Sequence, residues 1–313
     1  MAEREWAGTT YGNEWMHKWL IRMLRYIDIR VLYVFAAIFI IPVCLLLNPS
    51  RGIAYRYFRQ RIGFGRMKSA WMTYVNHCLF SQVVIDKFAM FAGKKFNVEI
   101  ENNESFLELA RQKEGFVQLS AHIGNYEIAG YTLECKEKRL NALVFGGEKA
   151  SVLLNRNTLF SSRGIRMIAA GTDMSYLFEL DKALTDGEIV SMSADRILRS
   201  PKHIECDFLG AKANFPLGPF SLATMHGLNV LAMNVMKTAM RSYKIYVTPL
   251  PYDKSAPRKE QINQLSKAYV AELEKQVRRY PAQWYNYFEF WNTTQTHAPE
   301  KRTTKNRELV NAL

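Results

Sequence analysis

Seventeen consecutive residues without a charge, VLYVFAAIFIIPVCLLL at 31–47, constrain this chain more than any other feature. So long an apolar run must be covered, by protein or by lipid. As a helix it is about 26 Å long at about 1.5 Å per residue, the short end of what crosses a bilayer. Pro42 would kink it, which membrane helices tolerate. Three placements meet those facts: a spanning helix, an element embedded in one leaflet, and a buried core helix. Trp6, Trp15, Trp19 and Tyr33 lie before or at its start, as interfacial anchors do. The pattern is not that of a signal peptide, because MAEREWAGTT carries acids and NPSRG is a poor cleavage site. Lys18, Arg22, Arg25 and Arg30 precede the run, and Arg51, Arg56, Arg59, Arg61, Arg66 and Lys68 follow it. That bias puts the C-terminal body in the cytoplasm.

Lys and Arg number 42 against 29 Asp and Glu, a net charge of +13. Such an excess speaks of anionic partners: nucleic acid, an acidic bilayer, or an acidic protein or ligand. No zinc finger, RNP sequence or heptad-backed basic helix is present, which argues against nucleic acid. Cys44, Cys78, Cys135 and Cys206 are far apart and form no metal-binding spacing, so they read as ordinary thiols of a reducing compartment.

Residues 1–30 pattern as an amphipathic helix whose WMHKWLIRMLRYI stretch suits an anionic membrane surface. Basic and aromatic helices continue over 50–95. From about residue 96 short β-like runs alternate with helical stretches: strands at 115–121, 140–147, 165–170, 188–195, 229–237 and 242–250, and helices at 151–164, 173–187 and 259–280. Asp173 and Gly187 cap the second of these helices, and Pro281 ends the third. The alternation predicts an α/β fold. It divides the chain into a helical membrane-anchoring region (1–95), an α/β domain (96–292) and a polar tail (293–313).

Within FVQLSAHIGNYEIAGYTL (116–133), His122 and Glu127 follow an apolar strand. Five positions differ by about 140° on a continuous helix, so the two side chains can meet only if the chain turns between them. Gly124-Asn125 supplies a turn, and Asn125 is a good N-cap. Glu127 would then fix the imidazole tautomer while the other ring nitrogen takes a proton from an acceptor hydroxyl or amine. The alternative is a carboxylate that merely complements a helix dipole beside an ordinary core histidine.

AHIGNYE resembles the H-x-x-x-x-D/E motif of glycerolipid acyltransferases, and its H-x-G-N-x-E form resembles the lipid A late acyltransferases, the lauroyl and myristoyl transferases of bacterial inner membranes. Further blocks follow in that family's order: NRNTLFSSRGI with Arg163-Gly164, LTDGEIVSMSADRI ending at Asp195-Arg196, CDFLGAKANFPLGPFSLATMHGLNVLAMNV, and RRYPAQWYNYFEFW. The resemblance covers roughly residues 25–292. Two places depart from it: Asn214-Phe215-Pro216 stands where Thr-Pro is common, and Asp195-Arg196 where Asp-x-Asp or Asp-Gln is common. WAGTTYGNEW resembles acyltransferases tied to polyene-type pigments or other outer-membrane lipids.

The resemblance implies a glycerolipid-acyltransferase-like mixed sheet flanked by helices. It implies acyl transfer from acyl carrier protein or coenzyme A to a hydroxyl or amine of an anionic membrane lipid, at the cytoplasmic face of a bacterial inner membrane, with no cofactor, metal or nucleic acid. His122 would be the base, Glu127 its orienter, and Arg163 a phosphate or oxyanion ligand. Gly124, Asn125, Asp195, Arg196, Pro216 and Gly218 would shape substrate binding. Two rivals use the same fold: a thioester or lipid-ester hydrolase, and a silent lipid-binding protein. The chain has no G-x-S-x-G elbow, which counts against a serine esterase.

Overall fold

The computed structural model describes residues 14–132, 137–145, 160–161, 164–171, 175–197 and 202–291. Nine strands are described: β1 (Asn97–Glu101), β2 (Phe116–Ser120), β3 (Leu140–Phe145), β4 (Ile165–Ala170), β5 (Ile189–Ser193), β6 (His203–Phe208), β7 (Ala211–Pro216), β8 (Asn229–Ala239) and β9 (Ser242–Pro249). Seven of them form one sheet in the order β1-β9-β8-β2-β5-β3-β4, and β6-β7 pair separately as an antiparallel hairpin. All neighbours in the large sheet are parallel except β8 and β9. The protein is thus a mixed α/β fold with a mostly parallel sheet flanked by helices.

Why these residues make a two-sided sheet is visible in their period of two. Val117 and Leu119 of β2 pack on one face with Val190 and Met192 of β5, Val230 and Ala232 of β8, and Leu265, Tyr269, Leu273 and Val277 of the long helix Arg258–Arg279. Phe116, Ile189, Leu231, Met233 and Ile245 point the other way and meet Phe106 and Ile128. Both faces are covered, so all five residues of β2 are buried. The Ser175–Thr185 helix closes with Gly187 at φ +80°, the left-handed position that glycine adopts without steric cost. Most of the 151–164 stretch and the Asp173 cap lie outside the described residues, as do Cys135 and the 293–313 tail. Cys44, Cys78 and Cys206 are free thiols.

The apolar run forms the helix Ile29–Leu47. Asp28 caps it by accepting the Arg30 N–H at 2.9 Å. A π turn over Ala36–Ile40 precedes Pro42, which lacks an N–H and cannot continue the regular ladder. Ile29, Tyr33, Ala36 and Ile41 face the protein, packing along the helix Arg66–Phe91, while Val31, Val34, Phe35, Ile38, Phe39, Val43, Leu46 and Leu47 are exposed. Only 22% of the most apolar window is buried, so the helix is not an ordinary core helix. Beyond it the chain returns to the body, where Tyr57 and Phe58 join the main core. Four of the arginines after residue 50 make contacts within the fold. Arg51 donates to Leu45 O at 2.6 Å, Arg56 pairs with Glu289, Arg59 donates to Phe64 O at 3.1 Å, and Arg61 lies 4.7 Å over the Trp291 ring.

Candidate active site

Ser120 and Ser193 are register partners at the ends of the parallel strands β2 and β5. His122 and Asp195 each lie two residues further on. With side chains alternating every residue, both project to the same side at the carboxyl end of the sheet. There the Asp195 carboxylate takes His122 twice: Oδ2 accepts the His122 backbone N–H at 2.8 Å, and Oδ1 accepts from Nδ1 at 2.8 Å. A carboxylate only accepts, so Nδ1 carries a proton, and in the neutral ring the lone pair is on Nε2. The Asp195 side chain is 2% exposed and that of His122 is 21% exposed. Burial pushes the Asp195 carboxyl up, but the charge and hydrogen bonds of His122, with Arg196 alongside, hold it below the ordinary carboxylate value.

Glu127 is expected from its spacing to be the orienter, but the carboxylate that accepts from Nδ1 is that of Asp195, and Glu127 pairs with a lysine. Its Oε1 accepts from Lys87 Nζ at 2.9 Å, on the Arg66–Phe91 helix. The reason is the path of the chain. Ile123 bridges Trp284 and Gly124 bridges Val235, so the backbone is held against these two segments past the imidazole before it coils at Glu127. Asn125 does contribute a carbonyl to the helix start, accepting Ile128 N–H at 3.1 Å. Its side-chain amide donates to Tyr243 Oη at 3.4 Å.

The residue that makes this path possible is Gly124. Its φ is +59°, and a Cβ there would stand 1.9 Å from Val235 O. Gly124→Ala is therefore expected to cost at least about 1–2 kcal/mol for the left-handed backbone alone, and to displace His122. Thermal unfolding and turnover measured together would show both losses.

The PAQWYN segment supplies the other wall. Gly124 N–H donates to Gln283 O at 2.8 Å, and Tyr285 N–H to His122 O at 3.2 Å. Gln283 in turn accepts from Lys237 N–H at 2.8 Å and donates to Lys237 O at 2.7 Å. Trp284 is packed within an aromatic cluster, 5.5 Å from Phe208 and 5.2 Å from Phe290. Tyr126, half-exposed, sets its ring edge-on to His122 at 5.9 Å. Neither role shows in the sequence, since a three-residue pairing has no periodicity to read.

Arg196 belongs to the same place. It donates to Tyr285 O at 2.8 Å and lies 5.7 Å over the Phe288 ring. Burial draws its guanidinium down from its ordinary value, opposed by Asp195. Pro216 ends β7 and precedes the helix Leu217–Met225, with Gly218 in its first turn. No hydrogen bond or ion pair among the described residues joins either to His122, Asp195 or Arg196. Arg163 lies outside the described residues. Cavities of about 400 Å³ along Cys206, Lys267 and Arg278, and about 510 Å³ along Arg30, Lys95 and Arg241, lie away from the imidazole, which meets solvent directly.

Residues 84–293 match the family of bacterial lipid A biosynthesis acyltransferases. The chain belongs to that family and is an acyltransferase. No curated protein matches it significantly. Among solved structures it is similar to the 1-acyl-sn-glycerophosphate (LPA) acyltransferase of Thermotoga maritima, with 16% identity and a TM-score of 0.36 over 87% of this chain and 100% of that one. A likeness so remote carries no weight for function.

Proposed function

We propose that this protein moves a fatty acyl chain from an acyl carrier protein or coenzyme A thioester to a hydroxyl or amine of a lipid A-like membrane lipid, with His122 as general base. The observation that carries the reading is the His122–Asp195 pair: a protonated Nδ1 held by a buried carboxylate, and an Nε2 with no hydrogen-bond partner among the described residues. Nε2 takes the acceptor's proton as its oxygen or nitrogen attacks the thioester carbonyl. The tetrahedral oxyanion then expels the thiolate, which recovers the proton from the imidazolium. The Asp195 charge stabilises that imidazolium without itself becoming protonated. Arg196 is assigned to favour the negative charge of the oxyanion or of a substrate phosphate, and Arg163 is assigned the same work. Residues 1–95 hold the body at the cytoplasmic face of the inner membrane through the exposed side of the Ile29–Leu47 helix, and 96–292 carry the chemistry. The net charge of +13 suits donors and acceptors that are all anionic.

Conservative variants of the two acids test the assignment. Asp195→Asn is expected to lower kcat by about 10²-fold or more with little change in KM, in the range of general-base contributions. Glu127→Gln is expected to cost less than about tenfold, because the amide keeps an oxygen that can accept from Lys87 and no reacting proton passes through it. The reverse ranking, measured as steady-state acyl transfer, would return the dyad to His122 and Glu127.

A further inference from the structure

A second cavity, of about 510 Å³, opens where the apolar helix begins. It is lined by Arg30, Lys95, Asn97, Met240, Arg241 and Ser242. Its size falls within the roughly 300–1,000 Å³ of small-ligand sites. We propose that it binds the phosphate group of an anionic membrane lipid. Three of those side chains are cationic, and Lys94 is close enough to act with Arg30 and Arg241 on Asp28. Asp28 is an acid beside the cavity: its Oδ1 accepts the Arg30 N–H as the helix cap and lies 4.0 Å from Arg30 Nε. With Lys95, Arg241 and Lys94 added, the local balance is still positive, and the Asn97 amide and Ser242 hydroxyl are neutral donors for phosphate oxygens.

The position selects a lipid over a free anion. Val31, Val34 and Phe35, immediately beyond Arg30 on the same helix, are exposed, as are Trp15, Met16 and Trp19 on the preceding helix Glu14–Tyr26. Met240, also exposed, forms one edge of the cavity. Cationic groups at the rim of an exposed apolar surface meet a bilayer at its headgroup level. The β8–β9 turn fixes the geometry: Arg241 O accepts Asn97 N–H at 2.9 Å, Arg241 donates to Lys95 O at 3.0 Å, and Met240 O lies 3.2 Å from the Tyr33 hydroxyl oxygen of the apolar helix. Ala239, on the same rim, is four residues along β8 from Val235, the bridge partner of Gly124. That places the cavity about 13 Å from the reactive loop at roughly 3.3 Å per residue, and on the same end of the sheet. The inference rests on the apolar helix meeting lipid but not on the acyltransfer chemistry, and its test reads binding without turnover.

The test uses the full chain in detergent micelles, with short-chain phosphatidic acid, short-chain phosphatidylcholine and inorganic phosphate as probes for calorimetric titration. Phosphatidic acid is expected to bind at least tenfold more tightly than the other two. At about 1 kcal/mol per basic residue near a membrane surface, Arg30→Gln/Lys95→Gln/Arg241→Gln should weaken it on the order of 100-fold. Arg30→Gln/Lys95→Gln, which leaves the Arg241 hydrogen bond intact, should weaken it about 30-fold. Arg111→Gln/Lys113→Gln/Lys259→Gln removes equal charge from exposed positions elsewhere and should change it less than threefold. Inorganic phosphate or phosphatidylcholine binding as tightly as phosphatidic acid, or equal losses in the cavity and control variants, would overturn the proposal.

Discussion

Replacing His122 by alanine is expected to lower kcat by about 10²–10⁴-fold, the usual contribution of a general base, while the protein stays folded. The ring is partly exposed, makes one hydrogen bond, to Asp195, and touches Tyr126 edge-on. Little packing is lost with it. Asp195 keeps the His122 backbone N–H but loses the ring donor, an unsatisfied buried acceptor worth about 1–3 kcal/mol. His122→Asn separates the two effects. Its amide can donate to Asp195 but cannot act as a base, so it should recover stability and not turnover. Acyl-transfer rates beside thermal unfolding of both variants check this. Full activity in either folded variant would remove His122 from the mechanism.

The second large effect concerns a buried cluster far from the motif. Lys237 on β8 pairs with Asp86 on the Arg66–Phe91 helix, with side chains 3% and 0% exposed. Tyr33 and Tyr243 both donate to the Asp86 carboxylate, and Lys237 Nζ donates to the same two hydroxyls at 3.1 and 3.3 Å. Burial pushes the Asp86 carboxyl up and Lys237 down, each opposed by the charge of the other. Removing one partner strands the other in a low-dielectric interior. Lys237→Met is therefore expected to cost about 3–5 kcal/mol, whereas Asp86→Leu/Lys237→Met should regain most of it. Urea unfolding of the single and double variants measures this directly. The single variant should also slow acyl transfer, since Tyr243 holds Asn125 and the Lys237 backbone holds Gln283, on either side of Gly124. A single variant as stable as the parent would show that the pair contributes nothing.

The two-sided strands and the long helix were legible because their side chains repeat at two and at three to four residues. So were His122 and Asp195 as residues ending strands. Their pairing was not, because sequence order does not say that β2 and β5 are neighbours; Glu127 was nearer along the chain and took the role on spacing. The β6–β7 hairpin carries a local signal of its own. Leu209 and Gly210, at φ +50° and +77°, form a two-residue turn between alternating segments. Nothing in the sequence joins Asp86 to Lys237, 151 residues apart. Each looks like a lone surface charge until the fold buries both. The cavity at Arg30 is hidden for a similar reason, since its cations come from three separate elements.

The most direct measurement follows an isotope-labelled acyl group. Purified protein in lipid nanodiscs is given labelled acyl thioester, with and without lipid A precursor as acceptor, and the lipid and aqueous fractions are analysed by mass spectrometry. The label is expected in an acylated lipid, only when acceptor is present and only with His122 intact. Thioester consumed at the same rate without acceptor, with the label released as free fatty acid, would instead identify a hydrolase and contradict transfer at this site.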